Sequence, residues 1–190
     1  MDPWVDWSDE QLIAACLSGN AGAFAGLVRR HQRKVFNVLY RFSGSYEASQ
    51  DLAQETFIAA YQKLYMFSGK SKFSSWLCQI ALNKARDSLR HQGGQPVCED
   101  LEDHAQQLSI PEGELPAQHL ESAQLHQQVQ EVLNTLPLHY REVLVLKHLE
   151  GYSYDEMSHL LDTPVGNVKI RTFRARQMFR EIYEARCGHD

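Results

Sequence analysis

The chain has 190 residues, 43% of them hydrophobic, and a formal net charge of -5, enough apolar material for one ordinary domain or two small ones and too much for disorder throughout. No stretch reaches the roughly 18 apolar residues of a membrane span, and the opening "MDPWVDWSDEQ" is acidic where a secretory signal is basic and then apolar, so a cytoplasmic location is expected. The four cysteines form no C-x-x-C pair and the nine histidines show no H-E-x-x-H or H-x3-H spacing, which predicts reduced thiols and no metal or other cofactor.

From residue 20 to residue 90, apolar residues recur at helical spacing. Phe24, Leu27, Val28, Val35, Val38, Leu39 and Phe42 predict one long helix or two abutting ones, and Leu52, Thr56, Ala59, Ala60 and Leu64 predict the next. Phe73, Trp76, Leu77, Ile80, Ala81, Ala85 and Leu89 form the clearest stripe, separated from its predecessor by the loop "MFSGKSK". The stripe places Trp76 in the core, and Trp4 and Trp7 are expected to cover the bundle. No segment alternates with the period of a strand, so an all-helical bundle is expected.

The next segment, "HQGGQPVCEDLEDHAQQLSIPEGELPAQ", has a Gly-Gly pair, three prolines and acidic clusters, and it reads as a tether of roughly 30 residues. Charge divides with it: residues 1–90 carry 11 basic and 8 acidic side chains, residues 91–140 carry none and 8, and residues 141–190 carry 8 and 8. The middle segment alone makes the protein acidic, so total charge says little about whether its neighbours touch nucleic acid. The predicted division is a helical domain over 1–92, a flexible acidic linker over 93–122 and a second helical domain over 123–190.

Beyond the linker, Val129, Val132, Leu133 and Leu136 make a stripe ending at Pro137; Tyr140, Val143, Leu144 and Lys147 start another that Gly151 stops. Ser153 and Glu156 form a capping box opening a short helix with Met157, Leu160 and Leu161 inside. After Asp162 comes Thr163 as expected N-cap and Pro164 at the first helical position. The product is a helix-turn-helix pattern.

The second helix of that pattern begins "TPVGNVKIRTFRARQMFR", with five basic residues and no acid. Winding it at about 100° per residue puts Val165, Val168, Thr172, Ala175 and Phe179 on the packed side. The opposite side carries Gly166, Asn167, Lys169, Ile170, Phe173, Arg174 and Gln177, with Arg171 and Arg176 at its flanks. Asn suits adenine, Lys and Arg suit guanine, and Ile170 and Phe173 suit thymine methyls, so DNA contact is predicted.

"DLAQETFIAAYQKL" and "FSGKSKFSSWLCQIALNKARDSLR" closely resemble conserved region 2 of bacterial extracytoplasmic-function (ECF) sigma factors of the sigma-70 family, and "LPLHYREVLVLKHLEGYSYDEMSHLLDTPVGNVKIRTFRAR" resembles their region 4. The resemblance implies an all-α protein of two small domains that binds core RNA polymerase and directs initiation at promoters. By position it implies -35 contacts from Asn167, Lys169, Ile170, Arg171, Phe173, Arg174 and Arg176. For the -10 element it implies the loop Phe67, Ser68, Gly69, Lys70 and Lys72, with Asn83, Lys84, Arg86, Asp87 and Arg90 on the following helix, where a base is held out of the stack. Asp51, Leu52, Gln54, Glu55 and Phe57 fall in the polymerase-binding block.

Three residues depart from the family pattern. Thr172 stands where a larger apolar residue is usual, which predicts looser packing of the recognition helix; Ile170 replaces a small polar residue and Asp87 an amide or base. The family's habit implies a membrane-associated anti-sigma factor as a further partner, holding the protein at the inner membrane face and seated on apolar surfaces between the domains. The rival reading is a stand-alone helix-turn-helix transcription regulator, which needs no "DLAQETF" block and binds duplex operator DNA alone. No nucleophile elbow, phosphate-cradling glycine loop or ligand cluster is present in the sequence, so neither an enzyme nor a small-molecule substrate is expected.

Overall fold

The computed structural model describes residue 4, residues 6–91 and residues 123–187. The chain divides into two compact units, Met1–His91 and Gln92–Asp190; the predicted linker and its acidic cluster lie outside the described residues. Among the described residues all regular structure is helical, and no helix is long and apolar enough to cross a membrane.

In the first unit, Ser8 caps α1 (Asp9–Leu17) through a capping box with Gln11: the Gln11 N–H donates to the Ser8 hydroxyl at 3.3 Å, and the Ser8 N–H to the Gln11 side chain at 2.8 Å. A 3-10 turn leads into α2 (Phe24–Ser43), a single helix whose predicted stripe is buried except for the half-buried Val28. Gly26 is small because α1 crosses there: a β-carbon would lie 3.0 Å from Trp4 Cβ and from a Leu12 methyl. Gly44 ends α2 at φ +69°, conformational space that glycine enters without steric cost. Ser45 then caps α3 (Tyr46–Lys63), which buries Leu52, Thr56, Phe57 and Ala60; the Thr56 hydroxyl is satisfied by the Leu52 carbonyl at 2.7 Å. A 3-10 turn over Leu64–Met66 and a short loop precede α4 (Phe73–His91). There Phe73, Leu77, Ala81 and Ala85 are buried as predicted, whereas Trp76, Ile80 and Leu89 keep part of their surface exposed. Each fully buried aliphatic side chain contributes about 1.5–3 kcal/mol, so this three-helix packing carries the unit.

The second unit begins with α5 (Ala123–Thr135). Its end is tied to α6 (Leu138–Leu144) by the buried Arg141, which donates to the carbonyls of Asn134 at 2.8 Å and Leu136 at 3.3 Å. Burial lowers the Arg141 pKa from its ordinary value. The predicted stripe through Lys147 is interrupted by a π turn over Val145–Leu149, in which the Glu150 N–H reaches the Val145 carbonyl at 3.0 Å. The turn keeps Val145 and Leu146 fully buried and leaves Lys147 half-exposed instead of packed. Gly151, at φ +72°, reverses the chain. The predicted capping box is present at α7 (Tyr154–Leu161), the Glu156 N–H donating to Ser153 Oγ at 3.2 Å and the Ser153 N–H to the Glu156 carboxylate at 2.9 Å.

The turn into α8 (Val165–Cys187) departs from expectation in one detail. Asp162 takes the left-handed conformation at φ 49°, and the Thr163 hydroxyl donates back to the Leu161 carbonyl at 3.0 Å. The first helical bond of α8 runs from the Val168 N–H to the Pro164 carbonyl. Pro164 therefore occupies the cap position, and Thr163 closes the turn.

Candidate nucleic-acid and polymerase interfaces

α8 is held by one stripe. Val168, Thr172 and Ala175 are all 0% exposed, and Val165 and Phe179 are half-buried at its ends. Thr172 is not a packing defect: its hydroxyl donates to the Val168 carbonyl at 2.8 Å, so the buried polar atom is satisfied without leaving the helix. Fixing this stripe turns the opposite side outward, where Asn167, Lys169, Arg174 and Gln177 are exposed, while Ile170, Arg171, Phe173 and Arg176 are half-buried along its borders. Gly166 adds no bulk to the first turn; a β-carbon there would meet nothing within 4 Å.

Beside this face lies a cationic cluster that sequence reading missed. Lys147 Nζ stands 4.4 Å from the centre of the Tyr154 ring, and Lys169 Nζ is 5.8 Å from the same ring. His148, next in the π turn, is pushed down to about 4 by burial, reinforced by Arg176 and Lys147. Its Nε2 has no hydrogen-bond partner among the described residues. The ring is thus neutral near pH 7, and the positive charge here belongs to lysine and arginine.

In the first unit the predicted loop is a hexapeptide standing on aromatic side chains. Ser68, Gly69, Lys70, Ser71 and Lys72 are exposed, and Gly69 turns the chain at φ +70°. The flanking residues converge: Phe67 and Phe73 meet edge-on at 5.6 Å, and Trp76 touches both, at 5.3 and 5.7 Å between ring centres. Trp76 is therefore a half-buried brace of the loop, not the core residue its stripe implied. The Lys72 carbonyl accepts from the N–H groups of Ser75 and Trp76, so α4 starts where the loop ends.

Along α4, Asn83, Asp87 and Arg90 are exposed and Lys84 and Arg86 half-exposed. Arg86 donates to the Asn83 side chain at 3.0 Å, and Arg90 approaches Asp87 at 3.8 Å. Lys84 is engaged with an acid, its Nζ lying 2.9 Å from the Glu55 carboxylate on α3. That ion pair joins one residue expected on DNA to one expected on polymerase. On α3, Asp51, Gln54 and Glu55 share an exposed face, with Leu52 and Phe57 buried behind them. Ile58, Tyr61 and Tyr65 extend this side with apolar surface, 51%, 47% and 75% exposed. Sequence reading did not single them out; the helical phase of Ile58 and Tyr61, shared with Gln54 rather than with Leu52, is the signal that would have found those two, while Tyr65 lies in the 3-10 turn beyond α3.

Comparison with known proteins bears on both units. A family model described as Sigma-70 region 2 matches residues 27–95, and one described as Sigma-70, region 4 matches residues 126–179. The chain is 37% identical over 179 residues to the RNA polymerase sigma-H factor of Pseudomonas aeruginosa, spanning 89% of this chain and 90% of that one. It is 34% identical over 176 residues to the ECF RNA polymerase sigma-E factor of Haemophilus influenzae, spanning 90% and 93%. Among solved structures, CnrH in complex with the cytosolic domain of CnrY superposes with a TM-score of 0.69 at 29% identity, covering 94% of this chain and 98% of that one. The sigma factor RpoE of Bartonella quintana, solved with the anti-sigma factor NepR, shares the fold with a TM-score of 0.65 at 24% identity, covering 86% and 98%.

Proposed function

Since this chain belongs to the extracytoplasmic-function sigma factors of the sigma-70 family, initiation subunits that bring core RNA polymerase to promoter DNA and are not enzymes, we propose how its own residues divide that work. Residues 1–92 serve as the polymerase-binding and -10-binding domain, 93–122 as the linker and 123–190 as the -35-binding domain. The observation that carries this assignment is the phase of α8: a fully buried Val168, Thr172 and Ala175 stripe leaves Asn167, Lys169 and Arg174 exposed together.

In the -35 complex α8 lies in the major groove, Asn167, Lys169 and Arg174 addressing base edges and Ile170 and Phe173 lying against thymine methyls, while Arg171 and Arg176 contact the flanking phosphates. In the -10 complex the Phe67–Lys72 loop receives one displaced base, its ends fixed by the aromatic brace so that little ordering entropy is spent on binding. Lys70, Lys72 and Arg90 supply phosphate contacts, Asn83 and Arg86 polar ones, and Asp87 sits at the edge of that surface. Asp51, Gln54 and Glu55 dock on core polymerase, backed by Leu52 and Phe57.

The protein works in the cytoplasm and, as the family resemblance implies, is kept inactive by a membrane-associated anti-sigma factor; that CnrH, 29% identical to this chain, was solved bound to the cytosolic domain of another protein, CnrY, is in keeping with a protein partner of this kind. The test is promoter-dependent initiation by purified core polymerase with and without this chain, read beside direct binding to core. Binding with initiation is expected. Failure of both, with tight binding of the folded chain alone to duplex DNA, would sink the assignment.

A further inference from the structure

The N-terminal helix lies ahead of the region 2 match, which begins at residue 27, and neither the polymerase nor the DNA assignment uses it. Its first residue nevertheless makes two close polar contacts with α2. The Ser8 capping box fixes where α1 starts and so presents the Asp9 carboxylate to α2. One oxygen accepts from Arg30 Nη1 at 2.6 Å; the other faces His31 Nε2 at 2.9 Å. The second amino group of Arg30 reaches the Trp7 carbonyl. The side chains of Asp9 and His31 are only 21% and 11% exposed, so the pair is shielded from water, where such bonds hold a ring's orientation firmly.

His31 passes this order on. Its ring lies 5.4 Å from that of Phe73, which meets Phe67 edge-on, and Trp76 braces both. Phe67 and Phe73 are the two ends of the exposed loop. Because the five residues between them are exposed, the loop's shape is set from its ends. We infer that Asp9 is a positioning residue for -10 recognition: by holding His31 against Phe73 it fixes the aromatic base on which the Phe67–Lys72 loop stands. This rests on the assignment of that loop to the -10 element.

The test uses the full chain, free and bound to core polymerase. The DNA probe is a single-stranded oligonucleotide selected from a randomised pool by the wild-type holoenzyme. Loop order is read independently of DNA, as the rate of trypsin cleavage after Lys70 and Lys72 under native conditions. Asp9→Ala is expected to be nicked there about tenfold faster and to bind the oligonucleotide about fivefold more weakly, with core affinity within about twofold of wild type. Asp9→Asn, which keeps an acceptor for His31 and serves if the alanine variant does not fold, should fall between the two. Arg30→Gln removes the other leg of the clasp; it should lower the melting temperature yet leave nicking and oligonucleotide affinity near wild type. Wild-type nicking and oligonucleotide binding in the Asp9 variants would overturn the inference. So would equal effects from Arg30→Gln, which would mean that docking of α1 as a whole, not the His31 contact, orders the loop. Lys70→Glu separates the two layers: if it binds the oligonucleotide like wild type, the -10 assignment of the loop falls, and nicking alone decides whether Asp9 orders it.

Discussion

His148 offers a quantitative handle on the second unit. Burial, with Arg176 and Lys147 nearby, takes its pKa from 6.5 to about 4, so the folded state resists the proton that the unfolded state accepts. Between those two values the unfolded chain binds more protons, and stability must fall as pH falls; above pH 6.5 the contribution is fully present. The full interval would correspond to about 3 kcal/mol at about 1.4 kcal/mol per tenfold change in proton affinity. His148 is half-buried, so roughly half of that, about 1.5 kcal/mol, is expected after screening. Native-state hydrogen exchange at Val168 and Thr172, whose side chains are fully buried in the second unit, reads the opening free energy of that unit at pH 7, 6, 5 and 4.5. The wild type should lose about 1.5 kcal/mol more than His148→Gln over this range, the difference between them removing the carboxylates both share. Parallel pH profiles for the two proteins would refute the reasoning and place the imidazole in ordinary contact with solvent.

On the DNA side, Asn167→Ala and Arg174→Ala should each cost about 1–3 kcal/mol at particular base pairs of the -35 element. Arg176→Ala should instead weaken binding evenly across sequences and reduce the salt slope by about one; holoenzyme binding to a panel of promoter variants at several salt concentrations distinguishes them. Glu55→Arg should abolish measurable binding to core polymerase in a pull-down and by fluorescence anisotropy, because it places a cation in the α3 face and beside Lys84. Ser153→Ala removes the capping bond to the Glu156 N–H, and denaturant unfolding should show a loss of about 1 kcal/mol with an unchanged m-value.

Elements whose information is local are legible in the amino-acid sequence. The stripes from Phe24 to Phe42 and from Val168 to Ala175 follow from apolar spacing alone, and the Ser153 capping box from residue types three apart. What escaped depends on choices that spacing does not encode. The π turn at Val145–Leu149 leaves the apolar pattern nearly intact yet shifts Lys147 from the packed stripe to the Tyr154 ring. Thr163 and Pro164 differ only in which carbonyl accepts the first helical bond. The Asp9 clasp joins residues 21 and 22 positions apart, and no short window contains both partners.

The candidate site divides along the same line. Exposure of Asn167, Lys169 and Arg174 follows from helical phase because one buried stripe determines the rest of α8. Lys84 was expected on DNA only from the family resemblance, and its ammonium is engaged by Glu55, 29 residues earlier on another helix. A half-exposed pair of this kind contributes only about 0–1 kcal/mol, too little to hold Lys84 against a phosphate or Glu55 against a cationic partner. On the proposed assignment its consequence is one of direction: a cationic polymerase contact at Glu55 would leave the Lys84 charge uncompensated for DNA, and a phosphate at Lys84 would leave that of Glu55 uncompensated for polymerase. The two proposed surfaces of the first unit would then be linked electrostatically through an α3–α4 ion pair that neither helix reveals by itself.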